Sequence, residues 1–184
     1  MKHQPYRNVT AQSINVQTLL HMIEQLKEGN DSATRVVPVV VFMAFSIEAY
    51  LNSLGSRRIS YWDELERLPW RSKVNILHES AGNKPRWGES HLQFATSIFS
   101  LRDKLAHGKP ERIEGPIFDD YDTAFKFSVE NRLRPAWFTN LNRSWAIASM
   151  EKFTALMSYL AVMQGFDKSD HLLAASGGMM KHEE

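Results

Sequence analysis

Ser90-His91-Leu92-Gln93-Phe94-Ala95-Thr96-Ser97-Ile98-Phe99-Ser100-Leu101-Arg102-Asp103-Lys104-Leu105-Ala106-His107-Gly108 reads as one amphipathic helix around which the rest of the chain is arranged. At about 100° per residue, Leu92, Phe94, Ala95, Ile98, Phe99, Leu101, Leu105 and Ala106 share one half-turn arc, with Gln93, Thr96, Ser97, Ser100, Asp103 and Lys104 opposite. Ser90 followed by Gln93 predicts a capping box, in which the hydroxyl serves an orphan amide and the Gln side chain reaches back. Gly108 suits the left-handed position after a helix, and Pro110 bars resumption, so His107 is expected as the last or capping residue.

The chemistry of this helix lies in Arg102, which falls near the middle of the apolar arc. An unpaired cation there is costly to desolvate, so the arginine should meet a carboxylate or lie at a seam reached by a ligand or second subunit. An ideal helix sets His107 about 140° from Arg102. Fraying of the helix end, or a second copy of the helix, is therefore needed to bring them together. Two other Arg-to-His pairs have similar spacing, Arg71 to His78 and Arg86 to His91, but the first is an i, i+7 pair and the second starts in a Pro/Trp/Gly loop.

Around this helix the sequence predicts a bundle. Ile14, Leu19, Leu20, Ile23 and Leu26 mark a first helix from Thr10, stopping at Gly29-Asn30 after a loose start over residues 1–8. A second helix begins near Asp31-Ser32 and runs to Gly55; from Val36 onward it is apolar nearly all round, as a central helix is, with Pro38 in its first turns or at a kink. Glu48 and Asn52 interrupt that apolar surface on the face of Val41 and Phe45, and a buried carboxylate needs a partner, so Glu48 is expected to pair with Arg102.

A connector with Arg57-Arg58 and a short turn at Trp62 leads to a helix from Trp70 to Ala81 carrying Lys73, Val74, Ile76 and Leu77. The loop after it mixes Lys84, Arg86 and Trp87, charge beside an aromatic surface. Residues 109–140 read as irregular, broken by Pro110, Gly115-Pro116 and Pro135, and are expected to pack over one end of the bundle beside the cleft. Asp119-Asp120-Tyr121-Asp122 lacks the glycine and distal glutamate of a calcium loop and reads as a solvated turn. The last long helix, residues 141–164, is expected to bury Leu141, Trp145, Ala148, Leu156, Tyr159, Leu160 and Met163 and to end at Gly165. The expectation is an all-α antiparallel bundle over residues 1–166, with a weakly ordered tail over 167–184.

Composition narrows the functions. The chain has 184 residues, a formal net charge of +1 and no cysteine, which excludes disulfides, thiolate zinc sites and a cysteine nucleophile. Balanced charge argues against a basic nucleic-acid coat, yet Lys84, Arg86, Arg102, Lys104, Lys109 and Arg112 outnumber Glu89, Asp103 and Glu111 around the motif. No signal peptide is visible, and the apolar run over residues 36–45 is shorter than the ~20 residues of a membrane helix. The cytoplasm is the expected location, with no membrane partner and no cofactor. No Gly-rich phosphate loop, Gly-x-Ser-x-Gly elbow or paired-histidine helix is present.

Arg102-Asp103-Lys104-Leu105-Ala106-His107-Gly108 resembles the signature of the HEPN superfamily, helical domains common in prokaryotic toxin and defence proteins. Phe45-Ser46-Ile47-Glu48-Ala49-Tyr50-Leu51-Asn52 is similar to the second-helix segment, with its acidic residue, of many such domains. The resemblance covers a small part of the chain. It implies a helical bundle that dimerises through the motif helix so that two Arg/His pairs line one cleft, with metal-independent RNA cleavage in active members and control by an antitoxin or other regulatory protein.

On that reading Arg102 and His107 are the catalytic pair, supported by Glu48, Asn52 and Asp103, with Lys104, Lys109, Arg57 and Arg58 as RNA contacts and Arg132 and Arg134 as further phosphate contacts. RNA carries its own nucleophile, the 2′-hydroxyl; a histidine of near-neutral pKa serves as base or acid, and an arginine fork offsets phosphorane charge. Products would carry 2′,3′-cyclic phosphate ends. The alternative is a non-catalytic HEPN-like interaction or RNA/nucleotide-binding module, in which Arg102 and Glu48 form an interior ion pair and His107 caps its helix.

Overall fold

The computed structural model describes residues 2–28, 33–131, 133–139, 141–173 and 175–182. The expected helix stop at Gly29-Asn30, the start at Asp31-Ser32 and the reading of Arg132 lie outside the described residues.

The chain's most apolar segment forms the centre. Helix α2 (Ala33–Arg58) packs against α1 (Ala11–Glu28), α4 (Trp70–Ser80), α5 (Ser90–His107) and α8 (Arg143–Met163). It buries Val36, Val39, Val40, Met43, Ala44, Ile47, Tyr50, Leu51 and Leu54. By length and composition alone α2 could cross a membrane; half of that stretch is buried inside the protein, as in the core helix of a bundle. Pro38 lies within the helix, which continues through it. The helix also runs past Gly55, whose place is set by packing: a Cβ there would stand 2.1 Å from the Trp62 ring. Trp62 opens the short helix α3 (Trp62–Leu65) and is itself fully buried.

The bundle is thus helical as expected, with differences in detail. On α1 the buried set is Val16, Leu19, Ile23 and Leu26, while Ile14 and Leu20 face solvent. On α8 Ala148 is exposed and Ala146, Ser149, Phe153 and Met157 are buried instead. Asn142 caps α8, its side-chain oxygen accepting from the Trp145 amide at 2.9 Å, and Gly165 ends the helix region at φ +73°, a left-handed position suited to glycine.

The irregular stretch is shorter than its prolines suggest. Residues 109–120 have no regular structure, but α6 (Tyr121–Asn131) and α7 (Ala136–Thr139) follow. Asp120 starts α6 by accepting the Thr123 amide at 2.8 Å, so the acidic cluster is a helix start. The segment does flank the motif helix: Trp137 donates to Glu111 at 3.0 Å and lies 5.6 Å from Lys104 Nζ.

Both termini depart from the all-α expectation. Strand β1 (Lys2–Val9) pairs antiparallel with β2 (Ala175–His182), with Tyr6 opposite Gly178. The glycines that read as a weakly ordered tail make room for this pairing: a Cβ on Gly177 would lie 2.7 Å from the Tyr6 carbonyl, and one on Gly178 2.9 Å from the Tyr6 hydroxyl. Between bundle and strand, a 3-10 turn at Asp170–Leu172 is locked to α2. Asp170 accepts two hydrogen bonds from Arg57, at 2.9 and 2.7 Å, and one from Tyr50 at 2.9 Å. Burial pushes the Asp170 carboxyl up, and the Arg57 and Tyr50 hydrogen bonds outweigh it, holding its pKa below the usual carboxylate range.

Candidate functional site

The C-terminal half of α5 and the start of α4 form an open groove of about 530 Å³, bordered by Trp70, Arg71, Thr96, Phe99, Ser100, Asp103, Lys104, His107 and Gly108. Its construction begins with an aromatic stack. Phe99 is buried on the apolar arc of α5, and Trp70 lies flat against it, centroids 4.4 Å apart and planes 8° apart. Trp87, from the loop before α5, meets Trp70 edge-on at 5.6 Å. The Arg71 guanidinium sits over both indoles, 5.0 Å from Trp70 and 4.5 Å from Trp87, and donates to Thr96 at 3.1 Å. Cation–π contact of this kind holds an exposed arginine in one place.

His107 ends α5, as the sequence predicted, and is exposed beside this platform. The helix ends are built differently from expectation. Gly108 takes φ −60°, ψ 132°, an extended conformation open to any residue; glycine is required because a Cβ would lie 2.4 Å from the Lys104 carbonyl. Its amide donates to that carbonyl at 2.9 Å, closing the last turn. At the other end, no capping box forms. Glu89 is the cap residue, and Gln93 donates to the Trp87 carbonyl at 2.5 Å, fixing the Trp87 loop against α5.

Arg102 is half-buried, and its expected partner is taken. Glu48 pairs with Lys73, Nζ to Oε1 3.0 Å. The reason is burial: Lys73 is only 1% exposed on α4, so it has the greater need of a carboxylate. Arg102 turns instead to its neighbour, Nε standing 2.9 Å from Asp103 Oδ1, with the guanidinium 5.3 Å from the Phe99 ring. That ion contact is not aligned as a hydrogen bond, so Nε is a buried donor without a matched acceptor. Asn52 on α2 likewise buries its side-chain oxygen unpaired. Two helices packed against each other, α2 and α5, each carry a polar atom still open to a partner.

The remaining expected contacts divide. Lys104 borders the groove and Lys109 is exposed just past the helix end. Arg57 and Arg58 do not belong here. Arg57 is committed to Asp170, Arg58 donates to the Gln164 carbonyl, and both cover Phe166, at 4.1 and 4.3 Å. Arg58 borders Ser80 and Ala81, at the opposite end of α4 from Trp70, about 15 Å along the helix. Arg134 covers the Phe138 ring at 5.4 Å.

Sequence reasoning missed Trp70 and Arg71 as groove residues. Their signal was a Trp-Arg pair opening a helix, followed by a Trp in the next loop. Of the three Arg-to-His pairs, Arg71 and His78 separate, Arg71 into the groove and His78 into the core; Arg86 and His91 border a different cavity. Among the described residues no cluster of three or more His, Asp or Glu suited to a metal ion occurs.

Chemically the groove offers an exposed imidazole, two cations and an aromatic wall, with one carboxylate, Asp103, neutralising a third cation at its edge. Comparison with protein-family models, curated proteins and solved structures finds no match to this chain.

Proposed function

We propose that the chain is a metal-independent endoribonuclease of HEPN type that works as a homodimer. The observation that carries the reading is the placement of His107 beside the Trp70 and Arg71 platform and Lys104. A nucleobase stacks on the Arg71 guanidinium plane that covers the two indoles, and Lys104 holds the backbone phosphate, so the nucleotide flanking a scissile bond lies against an imidazole. His107 then removes the 2′-hydroxyl proton or protonates the leaving 5′-oxygen. Arg102 approaches the phosphate by exchanging its contact with Asp103 for one with the phosphoryl oxygens. One copy holds a single His107 at the groove, and acid and base roles call for two. A second copy supplies the other, which is why a dimer belongs to the proposal. Membership in a toxin or defence system, with an inhibitory partner protein, is what the HEPN resemblance adds.

One observation favours a second reading, a non-catalytic RNA-binding module: Arg102 is engaged by Asp103, and it is Asp103, not Arg102, that borders the groove with His107. Titrating the native chain with a rising excess of folded His107→Ala protein separates the two. Cleavage that falls as mixed dimers form supports a shared site needing both histidines, and an RNA complex of the native chain that forms without cleavage supports the module.

A further inference from the structure

At the other end of α5, about 24 Å along the helix from His107, lies a separate cavity of about 590 Å³ between the loop after α4, the first turn of α5 and α8. Lys84, Arg86, His91, Tyr159, Val162 and Met163 border it. Its polarity is fixed from within. His78 is 1% exposed and its Nδ1 lies 2.7 Å from the Val74 carbonyl oxygen. A carbonyl can only accept, so Nδ1 carries the hydrogen. Burial holds the imidazole pKa below its ordinary value, leaving the ring neutral and Nε2 a bare acceptor. Nε2 lies 2.8 Å from the Tyr159 oxygen. The phenol hydrogen therefore points inward to His78, and the oxygen's lone pairs are left for the cavity. His91 stacks on the Tyr159 ring at 5.0 Å and 19°, holding it in place.

The cavity thus has three distinct corners. Tyr159 offers an acceptor. Lys84 and Arg86 offer positive charge, with Arg86 partly offset by Glu89 at 3.2 Å. Val162, 61% exposed, and Met163 offer an apolar wall. We propose that this cavity is a binding site for a small aromatic anion carrying a hydrogen-bond donor: the anionic group meets Lys84 and Arg86, the ring lies on Val162 and Met163, and the donor reaches Tyr159. The site stands independently of the ribonuclease reading, since it shares no residue with the groove.

The test is calorimetric titration of the full chain with 4-hydroxyphenyl phosphate, phenyl phosphate, 4-hydroxybenzoate and benzoate. The hydroxyl-bearing probes are expected to bind saturably, about fivefold more tightly than their plain counterparts, the effect of one hydrogen bond. Comparison of the phosphate and carboxylate pairs identifies the preferred anion. Tyr159→Phe is expected to erase the hydroxyl preference, and the Lys84→Ala/Arg86→Ala double variant to weaken every probe by about tenfold. Both changed side chains in the double variant are exposed, so it reports even if Tyr159→Phe fails to fold. The proposal is overturned if no probe binds saturably, if hydroxyl and plain probes bind equally, or if the double variant binds as the native chain does.

Discussion

Lys73 and Glu48 form the ion pair that ties α4 to α2, Nζ to Oε1 3.0 Å, with Lys73 1% exposed and Glu48 35%. The asymmetry in burial predicts an asymmetry in mutation. Glu48→Gln strands a buried ammonium and should cost about 2 kcal/mol, less than the ~3–5 kcal/mol of a fully buried pair. Lys73→Met leaves a carboxylate with access to water and should cost less. Urea denaturation of both variants checks the order; a larger loss for Lys73→Met would contradict it.

Asp170 holds the C-terminal segment on the bundle. Asp170→Ala leaves Arg57 and Tyr50 without their acceptor, a loss of about 2–3 kcal/mol for charged hydrogen bonds. Melting should fall by roughly 4–12 °C, and amide exchange should rise first in residues 175–182, which follow the clamp in the chain. Uniform exchange across the bundle would show that the clamp is not local.

Stability should decline with acid in two stages. Burial lowers the pKa values of His78 and His171, so both fold as neutral rings. A group with a depressed folded pKa contributes stability above its unfolded value, about 6.5 for histidine, and loses it as pH falls through the folded value. Asp170, also depressed, adds a second loss below about pH 3.9. Unfolding free energy should therefore be flat from pH 8 to 7 and fall from about pH 6.5 downward. In His171→Phe the first decline should be shallower.

Two glycines should resist replacement for different reasons. Gly55→Ala drives a methyl into Trp62 and should destabilise by about 1–3 kcal/mol despite alanine's better helix propensity. Gly108→Ala forces the Lys104 carbonyl aside and opens the turn that carries His107. RNA cleavage should fall in Gly108→Ala while its melting temperature changes little.

The amphipathic pattern made the bundle legible because apolar periodicity and burial are one constraint seen twice, as α2 and α5 show. The terminal strands were not legible. Gly177 and Gly178 carry no periodicity, and their role is to admit Tyr6 from the other end of the chain. Arg102 and His107 could be singled out from their positions on one helix. The partner of Arg102 could not, because the choice between Glu48 and Asp103 depended on Lys73, whose burial was set by how α4 meets α2. Arg57 and Arg58 read as RNA contacts in a connector, and only the fold brought Asp170 and Phe166 to them.

Asp103 now holds the guanidinium that the proposed reaction uses. Asp103→Asn should release Arg102 and tighten binding of a short RNA by about threefold to tenfold, with a steeper salt dependence. Filter binding at two salt concentrations measures it; unchanged or weaker binding would place Arg102 outside the RNA path.

The most direct test of the ribonuclease reading is incubation of a mixed RNA pool in EDTA with the native chain and with folded His107→Ala and Arg102→Ala proteins, followed by mapping of product ends. The native chain should cleave, leaving 2′,3′-cyclic phosphate and 5′-hydroxyl ends, and neither variant should. Absence of cleavage by the native chain, or cleavage that persists in His107→Ala, would contradict it.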